Sequence, residues 1–409
     1  MTQQRMGFVE TVILMALMIA VVALSIDSML PALPQIGRDL SAAHANDTQF
    51  IVSALFLGLA FGTLIYGPLA DSWGRKPVVY LGFVLFIIGC LISYMAQDMT
   101  VMLLGRCLQG FGVAAPRVLA TTIIRDQYEG VMMAKVMSLV MTVFILMPVV
   151  APTLGQLILF TGSWRLIFLV FIAFGLMTLI WFAVRQHETL AVENRHALSL
   201  AVIWRNTVIV VSEPVALGYT IATGIFTGAF LGYLTTSQQI FQDTYGLAEM
   251  FPVYFATVAL SIGFSSLVNS RLVMRYGMRQ LSGSAMTGVG VWSLLFLPVC
   301  YYFSGVPPLS LTMLYLLVAF FGIGLLFGNV NSLAMQPLGH VAGIGAGIVG
   351  ALSMFISIPI GVTVGRQYEG GVTHVVVAMA VCCLLARLVA AYADYRGAIQ
   401  EGKSASHGN

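Results

Sequence analysis

Residues 67–76 read Gly67-Pro68-Leu69-Ala70-Asp71-Ser72-Trp73-Gly74-Arg75-Lys76. Two apolar runs flank this stretch, from Phe50 to Tyr66 and from Pro77 to Met95. Each run is close to the ~20 residues that an α-helix needs to cross the ~30 Å hydrocarbon layer of a membrane. We therefore predict a ten-residue loop at the membrane surface. Its Arg-Lys pair places it on the cytoplasmic side, where cations are retained.

The composition indicates an integral membrane protein. Of the 409 residues, 59% are apolar and 9% are charged, whereas soluble domains carry about 25% charged residues. The net charge of +3 comes from loop residues, and we find no basic cluster with interleaved aromatic residues that would suit a nucleic acid. The five cysteines lie inside apolar runs without metal-ligand or disulfide spacing. We expect them to be buried thiols, and we predict no metal site.

Apolar runs bounded by charged residues, glycine and proline predict twelve spans. Six fall in residues 1–190 and six in residues 213–409, with a cytoplasmic linker at 191–212. Residues 270–279, after the second span of the second half, are a degenerate copy of residues 67–76. Two six-helix halves related by internal repetition are the usual build of a secondary transporter. The predicted fold is an all-α membrane protein with two pseudo-symmetric six-helix bundles.

The distribution of basic residues predicts the orientation of these spans. Of the 19 lysines and arginines, three lie inside spans and three, Arg38, Arg165 and Arg366, lie in the loops assigned to the outside. The others lie in the loops and termini assigned to the inside. This asymmetry places both termini in the cytoplasm.

Ionisable residues inside spans are functional candidates, because each costs about 2.5–3.5 kcal/mol to insert. Asp27 and Arg106 lie at matching depth, since the first span runs outward and the fourth enters from outside. We predict that they pair, with Asp27 as the proton carrier and Arg106 as its modulator. A static pair that fixes helix packing is the alternative. Arg387 lies near the inner end of the last span and can reach the headgroups, so we expect a structural role.

Arg117 is the remaining charge inside a span. It stands 11 residues after Arg106, close to three helical turns, so the two share a face with Gly110 and Val113. We predict that this face borders the substrate cavity. No acid of the first half lies at the depth of Arg117, which suggests an anionic or strongly dipolar substrate group as its partner. Extension of the side chain toward the cytoplasm is the alternative. The predicted substrate contacts are Arg117, Asp27, Gly110 and Val113.

The fifth span contains three helix breakers along one face, Pro148, Pro152 and Gly155. They would free backbone carbonyls and bend the helix, so the span could act as a hinge. Simple packing of a bent helix is the alternative.

Several motifs of other protein classes are missing from the sequence. It has neither a Walker-type phosphate loop nor an HExxH pair. We therefore expect no enzyme and no cofactor, with an ion gradient as the energy source.

Several stretches together resemble the major facilitator superfamily. Residues 67–76 look like its signature loop, G-x-L-a-D-r-x-G-r-k, and residues 106–112 look like the R-x-x-q-G-x-g motif of the fourth span. Residues 27–34 resemble the Asp-containing end of the first span in drug:proton antiporters. With Arg125-Asp126 and Trp164-Arg165, the chain is most similar to the bicyclomycin and chloramphenicol resistance (Bcr/CflA) group of exporters.

The resemblance implies alternating access, in which a proton moves inward as a small amphipathic drug moves outward across the bacterial inner membrane. It also implies that Asp71, Gly74, Arg75 and Lys76 form a conformational gate that latches the cytoplasmic side of the outward-open state. The Arg of the fourth span, Arg106, would be linked to proton coupling.

The antiporter motif of the fifth span is only partly kept, because Ala151 and Gln156 replace glycines. We expect the protein to act as a monomer. Export of one endogenous metabolite, such as a siderophore or an organic anion, is the second interpretation. A receptor or scaffold with a transporter-like fold is the third.

Overall fold

The predicted spans are helices in the computed structural model, which describes residues 6–195 and 197–407. Within those ranges, 12 helices are long and apolar enough to cross a membrane, and no strand is formed. A helix satisfies its own backbone hydrogen bonds, which lipid cannot do. The prediction of an all-α membrane protein is confirmed.

The chain divides into two compact units between Ser199 and Leu200. In the first unit, α4 packs along both α2 and α3, while α1 packs against α4, α5 and α6, and α3 packs against α6. The bounds of α1 to α6 are Phe8–Asp27, Phe50–Trp73, Arg75–Tyr94, Met99–Gln127, Gly130–Phe160 and Arg165–Arg185.

The second unit repeats this arrangement. Its α10 packs along α8 and α9, while α7 packs against α10, α11 and α12, and α9 packs against α12. The bounds of α7 to α12 are Pro214–Gln238, Phe251–Tyr276, Met278–Tyr302, Leu309–Met335, Ala342–Arg366 and Thr373–His407. The same six pairs of helices are therefore in contact in each unit, as internal repetition of the fold requires.

The prediction of a ten-residue loop at residues 67–76 is wrong. Helix α2 continues to Trp73 and α3 begins at Arg75, so Gly74 alone joins them. Leu69 and Ala70 are buried, and this packing holds the last turns of α2 in the helix despite Pro68. Gly74 reverses the chain with φ of +99°, a conformation that L side chains adopt at a cost. Gly277 joins α8 to α9 in the same way, with φ of +76°.

The predicted linker, residues 191–212, contains secondary structure of its own. A 3-10 turn covers Val192–Asn194 and a helix covers Leu200–Ser212. This helix packs on α7 and α11, so it belongs to the second unit. The exact limits of the linker remain a prediction.

Candidate functional site

Asp27 ends α1 and is almost fully buried, with 5% of its surface exposed. Beyond it the chain leaves the α-helix for a 3-10 turn, Leu30–Ala32, which contains Pro31. No hydrogen bond or ion pair reaches the Asp27 carboxylate within residues 6–195 and 197–407. The first unit therefore holds a carboxyl group inside a membrane span without a partner among the described residues.

Arg106 is fully buried, but its partners differ from the prediction. Its Nη2 donates to the Ser25 carbonyl at 2.9 Å and its Nε donates to the Ile51 carbonyl at 3.2 Å. Its Nη1 donates to Gln109 Oε1 at 2.7 Å. The predicted Asp27–Arg106 ion pair is thus wrong for the structure described.

The end of α1 explains this choice of partners. The last four carbonyls of a helix have no intrahelical donor, and Ser25 lies two residues before the last residue of α1. A cation at a helix C-terminus is also favoured by the helix dipole. Arg106 therefore connects α4 to α1 and α2 through backbone carbonyls. The Asp27 carboxylate takes no part in this connection.

The face that runs from Arg106 toward Arg117 lies partly in helix contacts. Gly110 sits so close to the Leu55 carbonyl of α2 that a Cβ atom would overlap it, and Val113 is fully buried. This geometry assigns Gly110 and Val113 to the packing of the first unit. Their predicted role as substrate contacts gains no support from it.

Arg117 is half-buried. In the part of the chain that the structure describes, no hydrogen bond or ion pair reaches its guanidinium. Arg117 and Asp27 are thus the predicted site residues whose charged groups form no ion pair or hydrogen bond with a described residue.

The three breakers of the fifth span lie inside α5, which runs unbroken from Gly130 to Phe160. Pro152 and Gly155 are buried, and Gly155 packs directly on the Ser28 carbonyl and on Pro31. The predicted hinge therefore touches the turn that follows Asp27. Whether it bends during transport remains a prediction.

Two of the predicted gate residues, Asp71 and Arg75, belong to an ionic cluster around the buried side chain of Arg75. The Arg75 side chain donates to Asp71 at 2.5 Å and to Asp126 Oδ2 at 3.1 Å. Thr189 donates its hydroxyl to the same Asp126 oxygen at 2.7 Å. The guanidinium of Arg75 thus joins the end of α2 to the end of α4, and Asp126 links both to the chain that follows α6.

Glu188 completes this cluster, and our sequence analysis did not find it. Its carboxylate accepts from the backbone N–H groups of Arg75 and Lys76, both at 2.9 Å, and from those of Thr189 and Leu190, both at 3.0 Å. Burial by itself raises the pKa of Glu188, but these four N–H groups outweigh it and hold the pKa below its ordinary value.

A sequence signal for Glu188 existed. Helix α3 opens with Gly-Arg-Lys and has no Ser, Thr, Asp or Asn at its N-cap to accept from its free N–H groups. An acceptor from elsewhere was therefore needed. Nothing in the sequence shows that it comes from 112 residues further along the chain.

Comparison with known proteins now identifies the family. A profile described as Major Facilitator Superfamily matches residues 15–362. The chain belongs to this superfamily. It is therefore a multi-pass membrane transporter, and the resemblance proposed from residues 67–76 and 106–112 is confirmed.

Three relatives agree with this assignment. The chain is 30% identical over 301 residues to a bicyclomycin resistance protein homolog of Haemophilus influenzae, covering 72% of this chain and 75% of the relative. It is 29% identical over 325 residues to the multidrug resistance protein MdtL of Citrobacter koseri, covering 80% of each. It is 28% identical over 336 residues to the uncharacterized MFS-type transporter YdgK of Bacillus subtilis, covering 81% and 83%.

Solved structures show the same fold. A D-xylose-proton symporter superimposes with a TM-score of 0.73 at 16% identity, covering 93% of this chain and 95% of that one. The human organic anion transporter MFSD10 gives 0.71 at 16% identity, covering 94% and 100%. These likenesses concern the fold of the superfamily.

The second unit of this superfamily member carries an ionic cluster that the sequence analysis also missed. Arg279 Nε lies 3.0 Å from Asp394 Oδ1, and Tyr219 donates its hydroxyl to the same carboxylate at 3.0 Å. The cluster ties α9 and α7 to α12. In the first unit, Glu10 of α1 pairs with Arg185 of α6, so each unit fastens its first helix to its last.

Gly74 and Gly277 form a matched pair for mutation. Gly74→Ala and Gly277→Ala both place a Cβ in the left-handed region, which costs about 1–2 kcal/mol. At Gly74 the Cβ would also lie 2.6 Å from Glu188 Oε2, whereas at Gly277 it would meet nothing within 4 Å. We expect Gly74→Ala to lower the melting temperature of the purified protein more than Gly277→Ala does. Equal losses would show that the Glu188 contact is unimportant.

Glu188 should contribute a pH-dependent part of the stability. Because its pKa is lowered in the folded protein from an ordinary value of 4.5, its contribution is present above that value and is lost as the pH falls through the folded pKa. Between about pH 6 and pH 3, we expect the melting temperature of Glu188→Gln to change less than that of the wild type. Glu193→Gln, which alters an exposed residue nearby, is the control. The same pH slope in all three proteins would contradict this assignment.

Proposed function

We propose that this transporter is a proton-coupled exporter of small amphipathic, drug-like molecules that works as an antiporter by alternating access. The names of its relatives, a bicyclomycin resistance protein homolog and a multidrug resistance protein, support the substrate class. The observation that carries the coupling is Asp27, a buried carboxyl group in a membrane span without a partner among the described residues.

The position of Asp27 suits a proton carrier. An unpaired charge is costly to bury, and a carboxyl group avoids that cost by taking up a proton. Arg106 acts on it indirectly in this proposal, because its guanidinium holds the Ser25 carbonyl two residues away. Protonation or deprotonation of Asp27 would change the charge at the end of α1. Gly155 of α5 packs there on the next residue, Ser28.

The cluster of Asp71, Arg75, Asp126 and Glu188 would serve as the cytoplasmic gate in this proposal. Its ion pairs join the end of α2 to the end of α4, and its hydrogen bonds join both to the segment after α6. Movement of these segments would have to break the bonds of Arg75. We place the protein in the bacterial inner membrane, with both termini in the cytoplasm.

Export of one endogenous metabolite is the second candidate function. The unpartnered guanidinium of Arg117 favours it, because a transporter of varied neutral or cationic drugs has no need of a cation within its spans.

Inverted membrane vesicles that contain the protein provide the test. A fluorescent amphipathic substrate should accumulate inside them when the lumen is acidified, and an uncoupler should abolish the accumulation. A tested set of antibiotics and dyes, of which bicyclomycin is one, should compete with it. Accumulation that is the same with and without the pH gradient would rule out proton coupling. Gradient-driven transport of a single metabolite class would favour the second function.

A further inference from the structure

Arg117 differs from three other buried or half-buried arginines in the helices of its unit. Arg75 is held by Asp71 and Asp126, Arg106 is held by two carbonyls and an amide, and Arg185 is held by Glu10. No such partner reaches Arg117 among the described residues. A guanidinium carries five N–H donors and stays charged, so its binding capacity within the span is unused.

The direction of the side chain argues against a contact with lipid. At 100° per residue, Arg117 lies about 20° around α4 from Arg106, which faces α1 and α2. It lies about 140° around the helix from Leu104, whose surface is 63% exposed. Arg117 therefore extends from the face turned toward the interior of the unit and away from the exposed face of α4.

At the depth of Arg117 in the membrane, no acidic residue of α1 is free to pair with it. Arg106 is level with Ser25 of α1, and α1 runs antiparallel to α4. Eleven residues further along α4, the neighbouring level of α1 is near Leu14, where Leu14, Met15 and Met18 are all fully buried and apolar. Glu10 lies one turn beyond, but both of its oxygens are bound to Arg185. Among its described residues, the first unit thus supplies no free anion at this level.

We propose that Arg117 binds an anionic group of the transported molecule, so that the preferred substrates are amphipathic organic anions such as aromatic carboxylates and sulfonates. This inference rests on the proposed export function and specifies its substrate class. A planar guanidinium binds a carboxylate or sulfonate through two parallel N–H bonds. Such a bond is stronger in a span than in water, because the low dielectric strengthens the attraction.

The test uses the purified full-length protein and two probes of the same shape, 1-naphthoate and its neutral amide, 1-naphthamide. Binding is measured by the rise in melting temperature as a function of probe concentration. The wild type should bind naphthoate about tenfold more tightly than the amide, a factor that corresponds to ~1.4 kcal/mol. Arg117→Ala and Arg117→Met should abolish this preference, and Arg117→Lys should keep part of it.

Arg387→Met provides the matched control. Arg387 is also a half-buried arginine in a membrane span, in α12 of the second unit, and its loss should leave the preference for naphthoate unchanged. If the alanine variant does not fold, Arg117→Met preserves the length of the side chain and gives the same answer. A wild type without preference for the anion, or an Arg117→Met variant that keeps it, would overturn the proposal.

The proposed export function fails in a different way. Binding of naphthoate needs no pH gradient, so it tests Arg117 even in a protein that does not couple to protons. Gradient-independent transport with an intact anion preference would reject the proton coupling and retain the anion site. Gradient-driven export without anion preference would do the reverse.

Discussion

Replacement of Asp27 by asparagine should abolish proton-driven accumulation in inverted vesicles, down to the level seen with the gradient collapsed. Asparagine keeps the shape of the side chain and cannot take up a proton from an acidic lumen. Passive exchange of substrate between the two sides should survive, because the substitution leaves the helices in place.

Stability separates this outcome from misfolding. The Asp27 carboxylate has no partner among the described residues, so its removal breaks no bond seen there, and an unpaired buried charge is itself destabilising. We expect the melting temperature of Asp27→Asn to equal or exceed that of the wild type. Asp27→Glu should restore part of the accumulation. Uphill pumping by the asparagine variant would refute Asp27 as the proton site.

Replacement of Arg106 by alanine should have the largest effect on stability. Truncation of a large buried side chain costs about 2–5 kcal/mol through the cavity it leaves. The Ser25 carbonyl and Gln109 Oε1 would also lose their donor, at about 1–3 kcal/mol for each buried acceptor left unsatisfied. We expect a large fall in melting temperature together with loss of transport.

Arg106→Lys should fall between the alanine variant and the wild type. An ammonium group carries the charge but lacks the planar fork that reaches α1, α2 and Gln109 at once. Arg387→Ala is the control, since that residue lies in a span and takes no part in the proposed coupling. A melting temperature of Arg106→Ala equal to that of the wild type would show that the tie between α1 and α4 is dispensable.

Hydropathy and charge were enough to predict the twelve helices and their grouping. The run from Leu309 to Leu333, for example, is helical over Leu309–Met335. Such runs are long, and lipid permits few alternatives to a helix. The end of α2 was predicted wrongly, because the charged residues, two glycines and Pro68 within residues 67–76 indicated a loop. Burial of Leu69 and Ala70 decides otherwise, and the local sequence does not reveal that packing.

The partners of the charged residues were harder to predict than the charges themselves. The matching depth of the two residues correctly predicted that Arg106 lies at the end of α1. Its guanidinium, however, binds the Ser25 carbonyl and not the Asp27 carboxylate. Because every residue has a backbone carbonyl, no residue type in the sequence identifies which carbonyl will accept the hydrogen bond. Glu188 was missed for the related reason that its donors are backbone N–H groups. Sequence reasoning finds side chains that need a partner more readily than it finds the backbone groups that provide one.

The single-residue junction at Gly74 has a consequence for enzymatic cleavage of the protein. Trypsin binds its substrates as extended chain, and the Arg75-Lys76 site lies in the first turn of a helix, with Arg75 only 8% exposed. Digestion of the purified protein should therefore spare this dibasic site. Cutting at Arg195, which lies outside any helix, should split the protein near its middle.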